Sequence, residues 1–169
     1  MREKHEALVN DMSALEYMEN GNIAGDNQCW EEALAAYEQA IVLNPRLDGA
    51  YAGKAYALYH LKKMDDAFAA VDKGLVIYPL SARILRIKAL ILKDQPGKAD
   101  LALETVNRAI NLQPEMARSY RVRGEVFIKL GRFQLALKDF AKACQMGIKE
   151  SCERAKVLEE KMKAGKRRY

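Results

Sequence analysis

The chain has 169 residues, of which half are hydrophobic and 30% are charged, and its formal net charge is +5 at pH 7. This composition is globular and excludes disorder of the whole chain. No run approaches the roughly 20 apolar residues that a membrane-spanning helix needs, so no span is predicted. The length fits one domain or one short repeat array, and the abundance of Ala, Leu, Glu and Lys favours helix over sheet.

The first predicted helix lies near the N-terminus, in a charged segment without the apolar core of a signal peptide, so a cytoplasmic protein is expected. In this helix and in the next, three residues stand at offsets of 0, +4 and +7: Tyr17, Gly21 and Ala24, then Ala33, Tyr37 and Ala40. Residues at these offsets share one helical face. Because proline disfavours helix in the residue before it, Asn44-Pro45 ends the second helix. Residues 14–47 are therefore predicted to form a helix–turn–helix unit.

The same pattern recurs three more times along the chain, over residues 48–81, 82–116 and 117–150. The first-helix positions hold Tyr51, Ala55 and Leu58, then Leu85, Ala89 and Leu92, then Tyr120, Gly124 and Phe127. The second-helix positions hold Ala67, Val71 and Gly74, then Ala102, Val106 and Ala109, then Ala136, Phe140 and Ala143. Successive leading alanines are 34, 35 and 34 residues apart. The one extra residue falls near Pro96-Gly97, in a predicted turn, where a repeat tolerates an insertion.

These four units resemble the tetratricopeptide repeat family, in which an alanine, an aromatic residue, a second alanine and a proline mark the second helix. The resemblance covers roughly residues 14–150 and implies an all-α fold, a superhelical solenoid of about four helix–turn–helix repeats in a single domain. Residues 151–164 resemble the helix that caps such arrays. Residues 165–169 form a basic tail.

In this family the first helix of each unit lines a concave groove, and the resemblance implies that a partner binds there. On the expected groove face the N-terminal units carry apolar and aromatic residues, and the C-terminal units carry arginines. The predicted partner-binding residues are Asn22, Tyr56, Tyr59, His60, Arg83, Arg86, Leu90, Lys93, Arg118, Arg121 and Glu125. Because arginines clamp carboxylates in bidentate fashion, we expect the ligand to be an acidic peptide or protein segment.

The sequence carries no motif of catalysis or of cofactor or metal binding, so an enzyme is not predicted. His5 and His60 stand alone, and Asp65-Asp66 lies at a predicted helix start, where Asp favours capping. Cys29, Cys144 and Cys152 are too scattered for a disulfide framework or a zinc site, and we expect three free buried thiols. The best prediction is a non-enzymatic adaptor, scaffold or co-chaperone-like module.

Other functions remain open. Residues 1–80 carry a net charge of −6 and residues 81–169 a net charge of +11, so copies of the chain could stack head to tail as a homo-oligomer. A secretion-type chaperone has a similar size and repeat number. Nucleic-acid binding through the basic half is weaker, because the basic residues are not interleaved with exposed aromatic residues.

Overall fold

A computed structural model describes the backbone of residues 2–166 and the side chains of residues 11–164. Over that backbone the chain forms nine α-helices and no strand, so the predicted all-α class is confirmed. The helices are α1 (Arg2–Asp26), α2 (Trp30–Leu43), α3 (Asp48–His60), α4 (Met64–Ile77), α5 (Ala82–Leu92), α6 (Ala99–Leu112), α7 (Ala117–Lys129), α8 (Phe133–Gln145) and α9 (Lys149–Lys166). Residues 167–169 of the predicted basic tail lie outside the described residues.

The helices form two compact units, Met1–Ile87 and Lys88–Tyr169, with the boundary inside α5. In the first unit α2 packs against α1 and α3, and α3 packs against α4. In the second unit α7 packs against α6 and α8, and α8 packs against α9. Within each unit, the helices named here that follow one another in the chain are therefore neighbours in space, as in helical repeats.

The residues that repeat in the sequence form the packed interior of both units. Every second-helix repeat position is buried, from Ala33 to Ala143. The first-helix positions are also buried, apart from Tyr17 and Ala24 on α1. Helix α1 contacts α2 and α3, and Tyr17 lies on a side of α1 that these helices do not fully cover. The Tyr17 residue is 41% exposed.

Two of the small repeat positions are glycines that lie directly beneath an aromatic ring. A Cβ atom added at Gly21 would lie 2.7 Å from Cε1 of Tyr37, and one added at Gly124 would lie 2.7 Å from Cε1 of Phe140. Both rings belong to the second helix of the same hairpin. Because two carbon atoms cannot approach this closely, the glycine lets the ring pack against the backbone of the first helix.

The predicted proline stops are present in the backbone. Helices α2, α4 and α6 end at Leu43, Ile77 and Leu112, two residues before a proline. The intervening residue has left the helical region, with φ and ψ of −138° and 99° at Asn44 and of −141° and 82° at Gln113. Asp65-Asp66 lies in the first turn of α4 and does not cap it, because the cap residue is Lys63.

The turn inside each hairpin has a left-handed residue at the same repeat position. These residues are Gln28, Lys62, Gly97 and Gly131, with φ between 62° and 71°. They are spaced by 34, 35 and 34 residues, the same intervals that separate the leading alanines. Only two of the four are glycines, although glycine adopts this conformation at the lowest energy.

Hydrogen bonds from the partly buried side chain of Arg123 join three helices of the second unit. Arg123 on α7 donates from Nε and Nη2 to the two carboxylate oxygens of Asp139 on α8, over 2.7 and 2.9 Å. Its Nη1 donates to Asn107 of α6 over 2.9 Å. Hydrogen bonding to Asp139 raises the pKa of the Arg123 guanidinium, against the opposing effect of burial. These hydrogen bonds therefore set the register of α7 against both neighbours.

The expectation of three free buried thiols is wrong. Cys144 on α8 and Cys152 on α9 form a disulfide with a Cα–Cα distance of 4.7 Å, and Cys29 is a free but exposed thiol. The bridge spans the short connection between α8 and α9, where Gly147 has a φ of 98°. Sequence spacing alone did not reveal it, because the turn that brings the two cysteines together belongs to the repeat and not to a disulfide motif.

We expect Gly124→Ala to lower the free energy of unfolding by roughly 1–2 kcal/mol, measured by urea denaturation. The added methyl group forces Phe140 away, and this effect exceeds the gain in helix propensity. The control is Gly25→Ala on α1, where the new Cβ would lie 3.7 Å from Trp30, an ordinary contact distance. An equal loss in both variants would contradict a specific close approach at Gly124.

We expect Cys144→Ser to lower the free energy of unfolding by about 2 kcal/mol under non-reducing conditions, because the loop that the disulfide closes is short. Dithiothreitol should produce the same loss in the wild-type chain and none in the variant. A reductant effect of equal size in the variant would mean that the disulfide is not its cause. Cys29→Ser, which removes the exposed thiol, serves as the control.

Candidate partner-binding surfaces

Four aromatic side chains of the first unit, Trp30, Tyr56, Tyr59 and His60, meet in a group that we call the aromatic cluster. The His60 imidazole stacks on the Trp30 indole, with ring centroids 3.9 Å apart and planes at 4°. Tyr56 and Tyr59 meet His60 edge-on, with centroids 4.5 and 5.3 Å away. All four side chains are partly exposed. The cluster therefore offers rigid aromatic surface to a partner.

Three of these residues were predicted from the sequence and one was not. Tyr56, Tyr59 and His60 follow one another along the last turns of α3. Trp30 is the first residue of α2 and was not among the partner-binding residues predicted from the sequence. Because α2 packs against α3, the start of one helix lies beside the end of the other. The single tryptophan of the chain thus joins the predicted group.

The second unit contains a group of charged side chains that we call the charge cluster: Lys93, Asp94, Arg121, Glu125, Lys129, Glu150 and Arg154. The Glu125 carboxylate lies at its centre, 2.9 Å from Arg121, 3.2 Å from Arg154 and 3.4 Å from Lys93. Lys93 and Lys129 also contact Asp94, at 2.9 and 3.2 Å. Sequence analysis predicted Lys93, Arg121 and Glu125, and the structure brings these three together.

Burial differs strongly within the charge cluster. The side chains of Lys93, Arg121 and Glu125 are only 8%, 12% and 11% exposed. Those of Arg154 and Glu150, both on α9, are 42% and 58% exposed. The cluster contains four cations and three carboxylates, so its net charge is positive. Charges with little exposure are screened weakly by salt. The excess of one positive charge in the cluster therefore favours negatively charged ligands at this surface.

The remaining predicted residues lie in different environments. Asn22 accepts a hydrogen bond from the Tyr37 hydroxyl over 3.0 Å. Arg83 and Arg118 are exposed on α5 and α7. Arg86 and Leu90 are only 8% and 3% exposed, so they present little surface to a partner. The predicted row of exposed arginines is therefore interrupted at Arg86, which packs into the protein.

The described residues contain no group of three or more His, Cys, Asp or Glu side chains that could hold a metal ion. No helix in the same part of the chain is long and apolar enough to cross a membrane.

Comparison with solved structures gives the same fold. TTC0263, a thermophilic TPR protein of Thermus thermophilus, is 18% identical with a TM-score of 0.77, over 88% of this chain and 82% of that one. YrrB, described as a TPR protein with an unusual peptide-binding site, is 20% identical with a TM-score of 0.53, over 89% and 78% of the two chains. Likeness at these identities shows the fold alone.

Sequence comparison identifies the family. TPR repeat-containing protein MJ1428 of Methanocaldococcus jannaschii is 27% identical over 151 residues, which are 89% of this chain. The chain spans only 25% of that relative's length. A model of the tetratricopeptide repeat family matches residues 18–82 and 92–150, more than half of the chain. The chain therefore belongs to the tetratricopeptide repeat family, whose members are generally non-enzymatic protein-interaction modules.

Proposed function

We propose that the chain is a non-enzymatic adaptor that binds an acidic segment of another protein, without a cofactor, through the first helices of its repeats. The observation that carries the proposal is the charge cluster, where Lys93, Arg121 and Arg154 converge on one carboxylate and the cations outnumber the carboxylates. Such a surface attracts negative ligands and repels positive ones. We keep the cytoplasmic location predicted from the sequence as part of this proposal.

Arginine is suited to this role because its planar guanidinium presents several donors in a fixed geometry that matches a carboxylate. Arg118 is exposed one turn before Arg121 on α7, and Arg83 is exposed on the first turn of α5. Arg118 extends the basic surface beside the charge cluster in the second unit, and Arg83 is an exposed cation of the first unit. Replacing these two arginines should therefore weaken ligand binding more than it lowers the stability of the fold.

The aromatic cluster is a second candidate surface, which lies in the first unit and favours apolar ligand side chains. Tyrosine and tryptophan give large contact area at a low loss of side-chain entropy, and they are enriched among residues that dominate binding energies. Here the Trp30 ring stacks on His60, and the Tyr56 and Tyr59 rings contact His60 edge-on, so the rings are already held in place. A peptide with alternating acidic and apolar residues therefore suits the charge cluster of the second unit and the aromatic cluster of the first unit, each taken by itself. YrrB, the TPR protein with an unusual peptide-binding site, has the same fold, which supports a peptide as the class of ligand.

We expect the double variant Arg83→Glu, Arg118→Glu to bind an acidic peptide about tenfold more weakly, because two attractions become repulsions of similar size. The probe is a fluorescein-labelled ten-residue peptide of alternating Glu and Leu, and binding is measured by fluorescence anisotropy in 50 mM salt. The matched control is Lys73→Glu, Lys138→Glu, which makes the same change in net charge at exposed positions of the second helices α4 and α8.

Equal weakening in both double variants would show that overall charge, not the first-helix surface, attracts the peptide. Equally tight binding of a Lys-Leu peptide would contradict the proposed ligand. Light scattering of the chain alone, at 50 and 500 mM salt, tests the competing function. A salt-sensitive rise in mass without peptide would favour self-assembly, and tight binding of a labelled oligonucleotide would favour nucleic-acid recognition.

We expect saturating Glu-Leu peptide to shift the fluorescence of Trp30 to shorter wavelength, because apolar ligand side chains exclude water from the partly exposed indole. As the only tryptophan, Trp30 reports on the aromatic cluster alone. Tyr59→Ala should weaken the peptide about fivefold, as truncation of an interface aromatic residue commonly does. The control peptide, with Ser in place of Leu, should leave the emission unchanged. Unchanged emission with the Leu peptide would exclude the aromatic cluster from binding.

A further inference from the structure

We propose that the C-terminal cap of the second unit holds a two-part subsite for an acidic residue next to an apolar one, in which Glu150 of the chain itself occupies the carboxylate position. This inference rests on the proposed function and specifies the ligand chemistry at α7, α8 and α9. Glu150 then acts as an internal competitor that a ligand must displace.

Glu150 is held at the surface of the charge cluster, unlike Glu125. Its carboxylate lies 2.8 Å from Nη2 of Arg154 and 3.9 Å from Nη1 of Arg121. Its side chain is 58% exposed, whereas that of Glu125 is 11% exposed and contacts three cations. An exposed ion pair contributes little to stability and exchanges readily. Of these two carboxylates, Glu150 is therefore the one that a ligand carboxylate can replace.

An apolar cavity lies beside the same arginine. It has a volume of about 260 Å³ and is lined by Ile128 of α7, Phe140 of α8, and Glu153, Arg154, Val157, Leu158 and Lys161 of α9. This volume is below the range of pockets that hold drug-sized molecules, so the cavity fits a single large side chain. Val157 at its edge is 41% exposed, which leaves the cavity open to solvent.

Arg154 belongs to both parts of the subsite. Its guanidinium contacts Glu125 and Glu150, and its side chain lines the cavity, with the guanidinium carbon 6.0 Å from the centre of the Phe140 ring. The other charged residues of the cavity wall, Glu153 and Lys161, balance one another. The positive charge of Arg154 therefore decides the sign of the preferred ligand, which is a carboxylate adjoining an apolar side chain.

The competition gives the subsite selectivity. A ligand carboxylate that replaces Glu150 forms about as many ion pairs as it breaks, so it gains little alone. A ligand that also fills the cavity gains the burial of its apolar side chain. Competition by Glu150 together with the apolar cavity thus disfavours binding of isolated acidic residues. It favours binding of acidic residues that adjoin a Leu, Met or Phe.

The test of displacement is Glu150→Gln, with the Glu-Leu peptide as probe. We expect this variant to bind the peptide about two- to fivefold more tightly than the wild-type chain, the range expected for removal of one exposed ion pair. The matched control is Glu159→Gln, which removes the same charge from the same helix, where Glu159 pairs with Lys163. If a general reduction in negative charge were the cause, the two variants would bind equally tightly.

The test of the cavity is Val157→Phe, which fills it from its exposed edge. We expect this variant to lose the preference of the chain for the Glu-Leu peptide over the Glu-Ser peptide. The control is Val76→Phe on α4, where a residue that is 82% exposed gains the same bulk far along the sequence. An undiminished preference for Leu in Val157→Phe would overturn the apolar part of the subsite.

The outcomes separate this inference from the proposed function. If the wild-type chain binds the acidic peptide and Glu150→Gln binds it no more tightly than Glu159→Gln, the internal competitor is overturned and the adaptor stands. If only Glu150→Gln binds the peptide, the competitor is supported in its strongest form. If none of these chains binds it, the proposed ligand class fails, and the subsite fails with it.

Discussion

The first and last hairpins of the repeat depend on the contact between an aromatic ring of the second helix and a glycine of the first helix. Tyr37 lies on Gly21 and Phe140 lies on Gly124, each so close that no Cβ would fit. This contact fixes the separation of the two helices in each of these hairpins. Because the repeat positions are then filled by packing, the other faces of the first helices are left for the residues that we propose to contact a partner.

Helix α7 shows how one helix serves both purposes. Arg121 and Arg123 are two residues apart and therefore point in different directions. Arg123 is bound to Asp139 and Asn107 and ties α6, α7 and α8 together. Arg121 contacts Glu125 and lies near Glu150, in the charge cluster. The same residue type thus supports the fold on one side of the helix and the candidate site on another.

Local patterns in the sequence predicted the features that depend on neighbouring residues. Offsets of +4 and +7 identified the buried faces, and the Xaa-Pro pairs identified where α2, α4 and α6 end. Features that depend on contacts between helices were missed. Trp30 was not among the predicted partner-binding residues, because its ring partner His60 lies thirty positions later, on another helix.

Helix α9 was treated as a solvating cap, so its contribution of Glu150 and Arg154 to the charge cluster was not foreseen. The left-handed turn residues Gln28 and Lys62 were also missed, because neither residue type marks that conformation. Backbone geometry at these two positions is set by the connection that the hairpin must make. Side-chain identity follows that geometry only at Gly97 and Gly131.

The Cys144–Cys152 bond makes the cap sensitive to the compartment in which the chain resides. Reductants in the cytosol keep most cysteines in the thiol form, whereas oxidising compartments preserve disulfide bonds. Without the bridge, α9 is retained by Leu158 and its apolar neighbours against Phe127 and Phe140. Since Glu150 lies within the segment that the bridge closes, reduction of the bridge removes a covalent constraint from the part of α9 that places this carboxylate near Arg121.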